Sequence, residues 1–171
     1  KSKRPVESDD YIGSEFRWKS SSGWAEGFFM SSMKRVGAAL EARLFIDQLL
    51  NTDPDAAIVL GGDLNALPEE VPVMAIRGRV EETGNPDLAG RVMVPLVQNV
   101  PKPARYTLFH RGSGELIDQI LVSRTMLAAF HGTEIHNEIL PDETIAFASD
   151  TKFPESDHAP VVATFDDSLI S

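Results

Sequence analysis

The segment Ala56-Ala57-Ile58-Val59-Leu60-Gly61-Gly62-Asp63-Leu64-Asn65 constrains the fold more than any other part of the chain. An apolar run over 57–60, bounded by the turn-forming Asn51-Thr52-Asp53-Pro54-Asp55 and by two glycines, reads as a strand. Without polar alternation, it reads as a strand buried on both faces. In extended backbone, residues two apart point to one face, so Asp63 and Asn65 can reach the same small ligand. Gly61 and Gly62 either let the chain turn tightly beside that ligand or serve the turn alone.

The surrounding pattern mixes helix and strand. From Ser31 or Ser32, either a plausible N-cap, to about residue 51, Met33, Val36, Leu40, Leu44 and Leu50 recur near the 3.6-residue period of an amphipathic helix. Residues 69–77 suit a second helix with Pro72 in its first turn. Residues 78–104 read as loops. The β-prone runs 105–110 and 115–123, separated by Arg111-Gly112-Ser113-Gly114, predict a hairpin. A short helix over 125–130, a strand over 133–136, a polar loop over 137–157 and a strand over 160–165 complete the chain. Residues 6–30 hold Tyr11, Phe16, Trp18, Trp24, Phe28 and Phe29 among serines, glycines and charges. They read as a loop that either packs on the body or forms a lid.

Composition narrows the function. The 171 residues suit one domain with a sizeable core. A net charge of −10 argues against binding nucleic acid by broad phosphate neutralisation, while leaving room for an acidic enzyme that meets phosphate through a metal. There is no cysteine, which removes disulfides, thiolate nucleophiles and cysteine zinc sites. No stretch approaches the roughly 18 apolar residues of a membrane span. The compartment stays open, with a slight preference for the cytoplasm.

Three polar clusters each adjoin an apolar strand: Asp63 with Asn65, Asp118 within 116–123, and Ser156-Asp157-His158 before 159–165. Taken singly, each has an ordinary structural explanation: a capped loop, a paired strand carboxylate, a surface pair. Together they supply most of what phosphoester cleavage needs. These needs are a carboxylate for a hard divalent cation, a group for a polarised water, donors for phosphoryl oxygens, and an imidazole held by a carboxylate.

The strings GGDLN, LIDQILVS and SDHAPVVATF, in this order and at these separations, resemble the C-terminal motifs of the endonuclease/exonuclease/phosphatase superfamily. The resemblance extends over about residues 31–166. It implies a mixed α/β fold, a four-layered sandwich with two β-sheets between outer helices and the active site at one edge of the sheets. It also implies divalent-metal-dependent phosphoester hydrolysis without a covalent intermediate, on nucleic acid or a small phosphate ester. By motif, Asp63 would orient or deprotonate the attacking water, and Asn65 would hydrogen-bond the phosphate. Asp157 would help hold Mg²⁺ or Mn²⁺, His158 would contact the scissile phosphate, and Asp118 would orient and charge-stabilise the imidazole.

The family also uses an N-terminal Asn, a Glu that is the main metal ligand, and a His-x-Lys-Ser strand end. Nothing before Asp63 supplies them. Lys1-Ser2 resembles the tail of the last pattern, and at Lys19-Ser20 an arginine, Arg17, stands where the histidine would fall. The expectation is a chain, 1–171, that forms the C-terminal half or so of one domain, partnered by a missing N-terminal half and inactive alone. A non-catalytic binding or scaffolding module on the same fold is the alternative.

Tyr106 aligns with a Tyr-Thr strand start of the family and is a candidate substrate contact, though a core or rim role suits it as well. Arg105 and Arg111 can meet a phosphate or simply be solvated. His110, His131 and His136 lie at no ligand-like spacing and read as structural. A calcium loop starting at Asp63 is rejected, because Pro68 and Met74 stand where glycine and a bidentate glutamate are required.

Overall fold

In a computed structural model, the structure describes residues 11–12, 17–148 and 156–170. The readings placed on residues 1–5, and on parts of the 6–30 and 137–157 segments, lie outside them. A two-residue antiparallel pair, β1 (Tyr11–Ile12) with β2 (Arg17–Trp18), precedes the long helix α1 (Ser21–Thr52).

Residues 21–30, expected to be loop, are therefore the first turns of α1. Its N-cap is Ser20, whose side chain accepts the Gly23 N–H at 3.0 Å, rather than Ser31 or Ser32. Gly23 and Gly27 mask the start because they are weak helix formers. They are nonetheless buried, and they continue one helical stripe through Ala39, Arg43, Ile46 and Leu50. Of the periodic apolar series, Met33, Leu40 and Leu44 face outward, at 53%, 53% and 59% exposure, whereas Val36 is half-buried and Leu50 is buried. Gly23, Gly27, Ala39 and Arg43 join Ile46 and Leu50 in the contact with the body.

The chain continues through β3 (Val59–Asp63), α2 (Val71–Arg77), α3 (Val80–Thr83) and β4 (Val94–Pro95). Pro72 sits in the first turn of α2, and Gly78 closes that helix in the left-handed region at φ 63°. The hairpin follows as β5 (Leu108–His110) and β6 (Ser113–Glu115), joined by Arg111 and Gly112 at φ 50° and 75°. The backbone then leaves the hairpin at Leu116 and Ile117 and enters β7 (Asp118–Val122), so the run 115–123 serves two sheets. β8 (Phe130–Ile135), α4 (Glu143–Ala148) and β9 (Val161–Phe165) complete the elements. α4 lies inside the segment read as a polar loop.

β7 is the centre of an antiparallel sheet in the order β3-β7-β4. Leu121 points to one side, into a cluster with Ala39, Ile46 and Leu50 of α1, together with Ile58, Ile76 and Met93. Val122 points to the other side, against Leu96 and Met126, backed by Phe130 of β8 and Phe165 of β9. The result is helix upon sheet upon sheet, the mixed α/β class expected. Arg43 crosses the first layer. Its guanidinium donates to the Ile76 and Arg91 carbonyls, both at 3.1 Å, and pairs with Asp47 at 2.7 Å, which also meets Arg91 at 2.9 Å.

β3 corrects another expectation. Among the described residues it pairs only with β7, and Val59 is 52% exposed, so it is an edge strand rather than one buried on both faces. Phe45, at 61% exposure, flanks the same open edge. No helix among the described residues is long and apolar enough to cross a membrane.

Candidate active site

Antiparallel register places Asp63 directly opposite Asp118, the last residue of β3 against the first of β7. Like charges facing one another across a ladder are destabilising. His158 answers them, its Nδ1 lying 2.8 Å from Asp118 Oδ2. An ionised carboxylate only accepts, so Nδ1 carries the proton and donates it, which leaves Nε2 for the cleft.

Thr107, fully buried, brings the segments together. Its Oγ1 accepts the N–H groups of Ile117 and Asp118 at 3.2 and 3.1 Å, and its carbonyl accepts the Ala159 N–H at 2.8 Å. One threonine thus fixes the backbone beside both Asp118 and His158. The half-buried imidazole has a raised pKa. Burial disfavours its charge, and the hydrogen bond to Asp118 with the charges of Asp118, Asp63 and Asp157 outweighs that penalty.

Gly62 has φ 156°, a conformation side-chain-bearing residues rarely adopt, so this glycine is required by the backbone; Gly61 is not so constrained. Beyond the strand, Asn65 folds back in the left-handed region at φ 48°. Its N–H reaches Asp63 Oδ1 at 2.8 Å and its Nδ2 reaches Oδ2 at 2.6 Å. Each carboxylate oxygen keeps a lone pair and Nδ2 keeps a hydrogen, all available to a ligand.

These groups line a cleft of about 430 Å³. Asp63, Asn65, Asp157 and His158 face it, as do Ser31, Lys34 and Arg35 of α1 and Glu143 of α4. Asp118 stands behind His158. Tyr106 is not part of the lining: its ring packs against Phe109, 5.6 Å between centroids, and over Gly114. His110 contacts Glu143, and His136 lies 3.6 Å from Glu134.

Asp63, Asp118 and His158 each present a ligand atom within 4.8 Å of the others. Holding a cation among all three would require breaking the Asp118–His158 bond, so this trio suits proton handling better than coordination. Asp63, Asp157 and Glu143 are the carboxylates that face the cleft, Glu143 in contact with His110, and they are a partial set for Mg²⁺ or Mn²⁺. The α1 wall and Glu143 escaped the sequence reading. The one signal for the wall is the spacing of Gly27, Ser31, Lys34 and Arg35 along one helical face.

A sequence model described as the Endonuclease/Exonuclease/phosphatase family matches residues 12–157. No curated protein and no solved structure matches the chain significantly.

Proposed function

The chain belongs to the endonuclease/exonuclease/phosphatase family, and on that premise we propose that the intact protein hydrolyses a phosphoester by in-line attack of water, with Mg²⁺ or Mn²⁺ as cofactor. The observation that carries this is the His158–Asp118 pair at 2.8 Å beside an Asp63 already tied to Asn65, all at one cleft. Asp63 offers its remaining lone pairs to the water that attacks phosphorus. Asn65 Nδ2 donates its second hydrogen to a phosphoryl oxygen. His158, whose pKa the carboxylates around it raise against the cost of burial, presents Nε2 to the phosphate and donates from it when protonated, and Asp118 holds the ring in that orientation.

Asp157, with Asp63 across the same cleft, would hold the divalent ion. When bound, that ion neutralises charge on the phosphoryl oxygens. We assign the remaining metal carboxylate to a further segment that adds a strand to the open edge of β3. A groove of about 490 Å³ lined by Phe45, Leu49, Val59 and Leu60 supports that assignment.

The test is hydrolysis of a generic phosphodiester, plasmid DNA and a phosphomonoester panel by the intact protein, with Mg²⁺ or Mn²⁺, with EDTA, and with Asp157→Ala. The expected result is turnover lost in both controls. A folded intact protein inactive on all of them overturns the reading in favour of a binding module. Metal-dependent turnover by the verified 171-residue chain alone would overturn the assignment of a carboxylate from elsewhere.

A further inference from the structure

We propose that Lys34 and Arg35 bind a second anionic group of the substrate, next to the phosphate that is cleaved, so that the cleft selects small esters carrying two neighbouring phosphates. This rests on the phosphoesterase reading of the cleft. Both residues line the same wall as Ser31, facing Asp63, Asn65 and His158. Arg35 is held there by hydroxyls, Nη1 donating to Ser31 Oγ at 2.7 Å and Nη2 to Ser32 Oγ at 3.3 Å.

Neutral tethers fix a guanidinium without cancelling its charge. Arg43, Arg79 and Arg91 each pair with an aspartate or glutamate, whereas neither Lys34 nor Arg35 has a carboxylate partner among the described residues. Lys19, Arg77, Lys102, Arg105, Arg111 and Arg124 also lack one among the described residues, so what sets Lys34 and Arg35 apart is their adjacency on the wall of the cleft.

Position supports the assignment. Lys34 and Arg35 also border an adjoining cavity of about 460 Å³, walled by Ala38, Ala42, Pro72 and Ile76. The two cavities share Lys34, Arg35, Asp63 and Asn65. A group anchored on the α1 cations therefore sits beside the reacting phosphorus, on the side away from His158.

A matched pair of esters tests this: thymidine 5′-(p-nitrophenyl phosphate) with and without a 3′-phosphate, cleaved by the intact protein. The expected result is a KM about tenfold lower for the bisphosphorylated ester, reflecting one charge-assisted contact. Lys34→Gln and Arg35→Gln should erase that advantage, and Arg35→Lys should restore part of it. Absence of the preference, or an equal KM rise on both esters, overturns the proposal. Inorganic pyrophosphate binding, measured calorimetrically in EDTA, separates this from failure of the hydrolytic reading. Binding that weakens about tenfold or more in the double glutamine variant supports the anion site even if neither ester is cleaved. Absence of binding, or binding that the variant leaves unchanged, overturns it.

Discussion

Replacing Thr107 by valine should destabilise the protein by about 2–4 kcal/mol, although the two side chains are nearly the same shape. The hydroxyl of this fully buried residue is the acceptor that the structure assigns to the Ile117 and Asp118 N–H groups, at 3.2 and 3.1 Å. Valine leaves the buried Ile117 donor and the part-buried Asp118 donor without that acceptor, each at a cost of about 1–3 kcal/mol, with the lower part of that range fitting two long bonds to one oxygen. Thr107→Ser keeps the oxygen and removes one methyl, a loss of about 1 kcal/mol. Urea unfolding of wild type and both variants measures the difference. Because Asp118 then loses its backbone anchor, the valine variant should also lower turnover while serine retains it. A valine variant within about 0.5 kcal/mol of wild type, or a serine variant as unstable as valine, would refute the reasoning.

The ion pairs give further expectations. His158 has a raised pKa, so its pairing stabilises the fold fully below the ordinary histidine value of about 6.5 and loses that contribution as pH rises through the raised one. Asp118→Asn should therefore move the His158 titration, followed by imidazole NMR, to lower pH, together with the alkaline limb of the rate profile; an unmoved titration contradicts the pairing. Asp142 accepts the Arg111 and Gly112 N–H groups, at 3.2 and 2.7 Å, and is held down to about 2 by the Thr144 hydroxyl and those amides. The hairpin tip should stay protected from hydrogen exchange until pH falls from the ordinary aspartate value towards 2, and Asp142→Asn should remove that dependence. Arg43→Met strands the Ile76 and Arg91 carbonyls and should cost about 2–3 kcal/mol in urea unfolding, with no loss as the opposing outcome.

The chemistry of the cleft was more legible than its walls. Asp63, Asn65, Asp118, Asp157 and His158 stand in short local strings, each beside an apolar strand, and sequence can express that. The facing of Asp63 and Asp118 depends on antiparallel register across more than fifty residues, which no local pattern specifies. Helical periodicity found α1 but mixed its faces: Met33, Leu40 and Leu44 repeat with the right period and point outward, whereas Leu50 of the same series packs inward with Ala39, Arg43 and Ile46. Burial depends on what lies opposite, and an arginine satisfied by two carbonyls and an aspartate behaves as core. The open edge of β3 defeated the reading of Val59 for the same reason, since an apolar run looks alike at the centre and at the edge of a sheet. Lys34, Arg35 and Glu143 enter the cleft only through the packing of α1 and α4, so their types carried no signal.

The most direct measurement compares turnover of bis(p-nitrophenyl) phosphate by the intact protein with that of His158→Gln and Asp63→Asn, in saturating Mn²⁺ and with folding verified for each. Each substitution should lower kcat by about a hundredfold or more, the scale expected for removal of a proton-transfer group or an oxyanion donor. Variants that turn over within a few-fold of wild type would show that the Asp63–Asp118–His158 cleft is not where the ester is cleaved.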